Sequence, residues 1–275
     1  MGFSGAIGSK GFNNSIGASG VELPDYKRQS SRTRIPQAED LALWFMSVSN
    51  DKTIRPFSRA PGEGVVTLND FSGNRNHLRS VAGKRPTVLQ SAQGNRAAIQ
   101  FATAQYLVGN NASAIDVGTG AFDIYMIVNL AAADAAQVFY ATKSSFAAST
   151  SGVAAFAAND EKLRVTGANG SSAKTTDKTA AAYNTKGYFL VRVSRNGTTT
   201  GLYTLCSDGT SQVKTVADGG ISFDGGNFSL GALNNGSTGF AGKITEVLAY
   251  KGVRLSNAKR NDVISYLSTK YKLGL

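Results

Sequence analysis

Residues Phe240–Leu275 read FAGKITEVLAYKGVRLSNAKRNDVISYLSTKYKLGL. The first part, Phe240–Tyr250, is mostly apolar, rich in β-branched and aromatic residues and free of proline, which predicts a buried strand. Lys251-Gly252 then turns the chain. Ser256 is placed as a helix N-cap, and Val263, Ile264, Leu267 and Tyr271 recur at helical spacing, so a helix is expected over 256–272. Gly274 stands where a left-handed residue would end it. A strand that needs cover, followed by a helix with one apolar stripe, is a closing device for whatever precedes it.

Working outward from that end, the preceding chain reads as many short strands. Tyr188–Ser194 alternates Phe189, Val191 and Val193 with Leu190, Arg192 and Ser194. Asn196-Gly197 supplies a hairpin turn, Leu202–Cys206 returns, Asp208-Gly209 turns again and Gln212–Val216 returns once more. Phe122–Leu130 (FDIYMIVNL) is a nearly continuous β-rich run. Leu41–Val48, Val65–Leu68, Pro86–Leu89, Ala97–Phe101, Gln105–Val108, Val138–Tyr140, Val153–Phe156, Leu163–Thr166, Ile221–Phe223 and Phe228–Leu230 complete about a dozen strands, a rough count set by turn spacing. Helical periodicity is convincing only near the C-terminus. The fold class expected is therefore all-β, a two-sheet antiparallel sandwich over 38–275 with one terminal helix.

Residues 1–37 differ. Glycine falls at 2, 5, 8, 11, 17 and 20, interleaved with isolated apolar residues Phe3, Ile7, Phe12 and Ile16, and a basic stretch follows at Lys27, Arg28, Arg32 and Arg34. This composition predicts an extended Gly-rich basic arm whose apolar residues anchor in neighbouring subunits, gaining order only against partners. The formal net charge of +11 is unevenly distributed: residues 101–250 hold ten basic and ten acidic residues, so the excess belongs to the arm, the early loops and the final helix. That pattern suits a solvated basic face or an acidic partner surface. Nucleic acid is disfavoured, because no zinc-finger ligand set, helix-turn-helix or RRM aromatic signature is present. No run approaches the ~18 apolar residues of a membrane span. The first 20 residues lack the apolar core of a signal peptide, so a chain made in a cytoplasm is expected. The single cysteine, Cys206, reads as a buried strand residue.

Two segments carry a family resemblance. Trp44, the turn Asp70-Phe71-Ser72-Gly73-Asn74-Arg75-Asn76-His77, Pro86 and Ala97–Phe101 form one; Gly242, Ile244, Glu246, Tyr250, Leu255, Arg260, Val263, Tyr266, Leu267, Lys270 and Tyr271 form the other. Together they resemble the concanavalin A-like lectin/glucanase (LamG-like) jelly rolls, in the branch frequent in bacterial and phage sequences. The likeness spans roughly 41–275 and implies a jelly-roll architecture rather than an activity. Lys259 departs from it, since the family often places an acid in the first helical turn.

The chemistry of enzymes in that superfamily is missing. Retaining glucanases need paired carboxylates about 5 Å apart, set out as E-x-D-x-x-E or E-x-D-x-E. Glu22, Glu39, Glu63, Glu161 and Glu246 form neither pattern. His77 is the only histidine, which excludes a histidine metal cluster within one chain. No catalytic or metal residues and no cofactor are assigned. Asp208, Asp218 and Asp224 lie in turns and are the candidates for a Ca²⁺ site. Tyr183, Asn234 and Asn235 are the candidate glycan contacts, an aromatic platform with loop amides. The function expected is that of a non-enzymatic virion structural protein of a tailed phage (capsid decoration, tail or baseplate, or fibre base), a homo-oligomer such as a trimer, joined to other virion proteins by its arm. The chain is expected to be made in the host cytoplasm, with the virion as its final place. The alternative is a lectin-like module for host-surface attachment.

Overall fold

The computed structural model describes residues 35–46, 62–109, 118–132, 135–220, 222–223 and 225–275. The arm residues Phe3, Ile7, Phe12, Ile16, Lys27, Arg28, Arg32 and Arg34 lie outside the described residues, as do Ile221 and Asp224.

Two antiparallel sheets of eight strands each pack face to face. Sheet A runs β14 (Ser211–Ala217), β13 (Thr199–Cys206), β12 (Tyr188–Arg195), β7 (Phe122–Leu130), β16 (Gly242–Lys251), β5 (Arg96–Phe101) and β4 (Thr87–Gln93), with β1 (Leu41–Met46) also on β16. Sheet B runs β11 (Ala173–Thr175), β10 (Leu163–Ala168), β9 (Gly152–Ala157), β8 (Gln137–Ala141), β15 (Ser229–Leu230), β6 (Leu107–Gly109), β3 (Leu78–Ser80) and β2 (Thr67–Leu68). The helix, α1 (Asn257–Tyr271), follows β16. This is the all-β sandwich with a C-terminal helix that the sequence predicts.

Strand β16 organises sheet A. It pairs with β7 along its whole length; on its other edge it meets β5 through Gly242–Ile244 and β1 through Glu246–Tyr250. Both β16 and β7 are buried on both faces, which explains their unbroken apolar reading. Met126, Val128, Val247 and Ala249 face sheet B, whereas Tyr125, Ile127, Leu248 and Tyr250 lie with Trp44 beneath α1. Val263, Leu267 and Tyr271 are the buried stripe of that helix, as their spacing requires.

The ends of α1 follow local chemistry. Ser256 Oγ accepts from the Lys259 N–H at 3.4 Å, a side-chain cap. At the other end Lys272, not Gly274, takes the cap position in a left-handed conformation (φ 52°), and the Leu273 N–H closes onto the Ser268 carbonyl at 3.0 Å. The helix stops two residues before the glycine because Leu273 is drawn inward and buried. Lys259, the family departure, lies 3.7 Å from Asp40.

Three short elements differ from the sequence reading. Leu78–Ser80 is a strand although it follows directly on a polar turn, and Ala173–Thr175 forms an edge strand with all three residues exposed. Neither is long enough to show a period. The expected strand over 221–223 is not one among the described residues there. Phe223 instead lays its ring over Gly167 of β10, where a Cβ would come within 2.3 Å of it.

Candidate functional site

Four polar arrangements account for most of the buried charge, and three of them are consumed inside the fold. The first is the lock between α1 and sheet A. Glu246, almost fully buried on β16, accepts from Trp44 Nε1 at 2.8 Å and from Tyr266 Oη at 3.1 Å through Oε1. Its Oε2 lies 2.8 Å from Lys270 Nζ, which also donates to Tyr266 Oη at 2.8 Å. Burial pulls the Lys270 ammonium downward while Glu246 holds it up, and burial beside Glu246 pushes the Tyr266 phenol well up. The C-terminal signature residues Glu246, Tyr266 and Lys270 therefore fasten a helix to a sheet.

The second is the 70–77 turn. Asp70 Oδ1 accepts from the N–H groups of Trp44 and Ser72, and Oδ2 from Ser72 Oγ and the Asn76 N–H, all at 2.9 Å. His77 Nδ1 accepts from the Asp70 N–H at 3.0 Å, and Asn74 Nδ2 donates to the Leu41 and Ala42 carbonyls at 2.9 and 3.1 Å. The one histidine is thus an acceptor within the turn, while Asp70, Ser72 and Asn74 hold the turn against β1.

The third comprises two guanidinium–carboxylate pairs. Arg192 meets Asp123 at 2.6 Å while lying 4.5 Å from the Tyr203 ring centroid, and Asp123 Oδ2 accepts from the Leu255 N–H at 2.8 Å. Burial raises the Asp123 pKa against the lowering pull of Arg192. Arg195 and Asp218 are both fully buried, 3.0 Å apart, with Thr200 Oγ1 and the Gly220 N–H also on Asp218. Of the three aspartates put forward for Ca²⁺, Asp218 is therefore occupied by an internal cation. Asp208 pairs with Lys186 at 2.8 Å, which holds its pKa down to about 2, and Asp224 lies outside the described residues. No group of three metal-ligating side chains occurs among the described residues.

The fourth arrangement reaches solvent only at its rim, for its floor residues Val138, Ala141, Ala154, Phe156 and Thr166 are buried. It forms on the outer face of sheet B and originates in a β-bulge of β8. The register with β9 shifts between Val138 and Tyr140, so Phe139 and Tyr140 both enter the core while Val138 and Ala141 point out. On the outer face Val138 stands opposite Phe156, which stands opposite Arg164 of β10. In the next row Ala141, Ala154 and Thr166 follow one another, and Thr166 Oγ1 accepts from Thr175 Oγ1 at 2.9 Å. The loop after β8 brings Phe146 over this floor, with its ring centroid 4.6 Å from that of Phe156. Phe146 remains partly exposed, as does Arg164. Leu233 packs in the same cluster and leads into Asn234 and Asn235.

The candidate glycan contacts separate here. Asn234 donates through its backbone to the Lys143 carbonyl at 3.0 Å and through Nδ2 to the Thr142 carbonyl at 3.1 Å; it fixes the Phe146 loop. Asn235 is exposed, its Oδ1 accepting from the Ser237 N–H and Oγ. Tyr183 is not a platform. It is fully buried in the core, packed on Phe189 and hydrogen-bonded to Thr204 Oγ1, so neither ring face nor hydroxyl reaches solvent. The aromatic residues of the outer face are Phe146, partly exposed, and Phe156, buried against it. The sequence signal for them was faint: a lone phenylalanine in a Ser/Ala loop, and one in an alanine-rich strand.

The geometry defines an antiparallel jelly-roll-like sandwich with one aromatic outer face. No family model matches the sequence, and no curated protein matches it. Solved structures share the fold. A GH54 α-L-arabinofuranosidase soaked with a cyclic sulfate inhibitor is similar over 84% of this chain and 63% of its own, at 11% identity and a TM-score of 0.59. The botulinum neurotoxin serotype D ligand-binding domain in complex with N-acetylneuraminic acid is similar over 84% of this chain and 51% of its own, at 12% identity and a TM-score of 0.53. A Trypanosoma rangeli sialidase in complex with the inhibitor DANA is similar over 82% and 32%, at 10% identity and a TM-score of 0.51. The chain spans less than two thirds of the length of these structures, and identities this low speak for the fold alone.

Proposed function

We propose that the chain is a non-enzymatic binding module that holds a carbohydrate on the outer face of sheet B. The observation that carries this reading is the Phe146–Phe156 pair. Phe146 is partly exposed and packs on Phe156, which is buried with a floor of alanine and threonine; Arg164 stands beside Phe156, and the exposed Asn235 lies on the turn after Leu233. Aromatic faces flanked by a few convergent polar groups suit sugar rings, whose C–H faces stack while their hydroxyls seek partners. Two of the fold's likenesses, the neurotoxin domain and the sialidase, hold sugar-derived ligands, which supports the reading. The absence of catalysis is proposed on the state of Glu246, which is buried under α1 and bound on three sides. A glycan array with the full chain tests this: binding is expected, and Phe146→Ala should weaken it up to about tenfold, the scale of losing one aromatic contact, with a Tm lowered by no more than the loss of its packing on Phe156. Array-wide absence of binding, or release of reducing ends from a bound glycan, would overturn it.

A second reading sets this module in a virion of a tailed phage, joined to neighbouring subunits through residues 1–34. It is favoured by the point where that segment meets the body. Ile35 is buried in the cluster beneath α1, and Tyr250 Oη donates to the Pro36 carbonyl at 2.9 Å, so the segment is fixed at its root to a rigid core. A chain lacking residues 1–34 should fold and fail to join the particle; full incorporation would count against this setting.

A further inference from the structure

We infer that the ligand of the sheet B face is an acidic sugar, and that Arg164 takes its carboxylate; this rests on the carbohydrate reading above. The observation is an unmatched cation. The buried guanidinium groups of this body have their own carboxylates, Arg192 with Asp123 and Arg195 with Asp218. Arg164 makes no ion pair among the described residues, and its Nε is buried without a hydrogen-bond partner. The nearby Asp160 is held by Lys178 at 3.1 Å and Lys162 at 3.8 Å, so it does not answer Arg164.

Position gives the orphan its meaning. Leu163 and Val165 point into the core, so Arg164 points out, and its cross-strand neighbour on that face is Phe156. A sugar ring against the exposed part of Phe146 would bring a ring carboxylate within reach of a planar fork that donates two parallel hydrogen bonds. The exposed Thr175 hydroxyl in the neighbouring row, which donates to the buried Thr166, can still accept from a ring hydroxyl.

The test uses the full chain and two forms of one polysaccharide: a uronic-acid oligosaccharide, and the same oligosaccharide with its carboxyls reduced to primary alcohols. Isothermal titration should show the acidic form binding about tenfold to a hundredfold more tightly, the scale of hydrogen bonds to a charged group. In Arg164→Gln that ratio should fall to near one, with Tm retained and neutral binding intact, and Arg164→Lys should restore part of it. Equal binding of both forms by the wild type, or a ratio that survives Arg164→Gln, overturns the inference and leaves the carbohydrate reading standing. Binding of neither form, together with a blank glycan array, overturns both.

Discussion

The indole Nε1 of Trp44 donates to Glu246 Oε1 across 2.8 Å and 202 positions of sequence, joining the first strand of the body to the last. Because Tyr266 and Lys270 of α1 converge on the same carboxylate, one side chain holds β1, β16 and the helix together.

Removing that carboxylate strands its partners. Glu246→Ala should cost about 3–5 kcal/mol, the range for breaking a buried ion pair from one side. The double variant Glu246→Leu with Lys270→Met should be less destabilised than the sum of its single changes, since it leaves no buried charge unmatched. Urea denaturation of Glu246→Ala and of the four proteins of this cycle measures both. Additive losses would show that the pair is not coupled.

Lys143 gives a pH signature. Its side chain is fully buried, its Nζ reaches only the Ala147 carbonyl at 3.4 Å among the described residues, and burial pushes its pKa down to about 8. The unfolded lysine keeps its proton to about pH 10.5. Between these values the unfolded state binds more protons, so stability should rise with pH from about 8 toward 10. Above about 10 the exposed tyrosines of the unfolded chain ionise, whereas buried Tyr125 and Tyr140 stay protonated, and stability falls again. In Lys143→Met the rise should vanish, with a gain of ~2–3 kcal/mol near pH 7. Thermal melts across pH 7–10 read it directly; an equal rise in both proteins would reject the assignment.

Asp218 is expected to be structural and indifferent to calcium. Asp218→Ala takes the carboxylate away from the buried Arg195 guanidinium, which also meets the Gly118 carbonyl and the Phe223 ring, and should cost about 3–5 kcal/mol. Chelator should leave the wild-type Tm unmoved. A chelator-induced drop of several degrees would mean that a cation site lies elsewhere in the chain.

The root of the N-terminal segment should matter to the body, and the segment itself should not. Deleting residues 1–34 should leave Tm essentially unchanged. Ile35→Ala should cost ~1–2 kcal/mol through lost packing beneath α1, and Tyr250→Phe about 0.5–1.5 kcal/mol through the bond to Pro36. Calorimetry on the three variants separates the contributions.

Much of the fold was legible because it rests on long periodic elements. The β12–β13–β14 meander shows alternation and an Asn-Gly turn, and β16 with α1 shows a change of period from two to 3.6. Leu78–Ser80 and Ala173–Thr175 were not legible because three residues carry no period; pairing with a neighbour defines them. The outer face of sheet B was harder still. It depends on the bulge at Val138–Tyr140, which turns two consecutive aromatic residues inward, and no local pattern announces which residue will be the extra one. Tyr183 misled for a related reason: a tyrosine beside an asparagine resembles a loop platform until its hydroxyl finds Thr204 inside.

The two outer surfaces of the sandwich are unlike. Ile35, where the N-terminal segment enters, lies on the helix-covered back, whereas Phe146 and Phe156 lie on the front, with the whole core between them. Were the body attached through the residues that precede Ile35, its tether would start from the helix-covered side, opposite the side that carries Phe146. Many copies fixed side by side would then present the same weak contact in one direction, and avidity rather than single-site strength would set their hold.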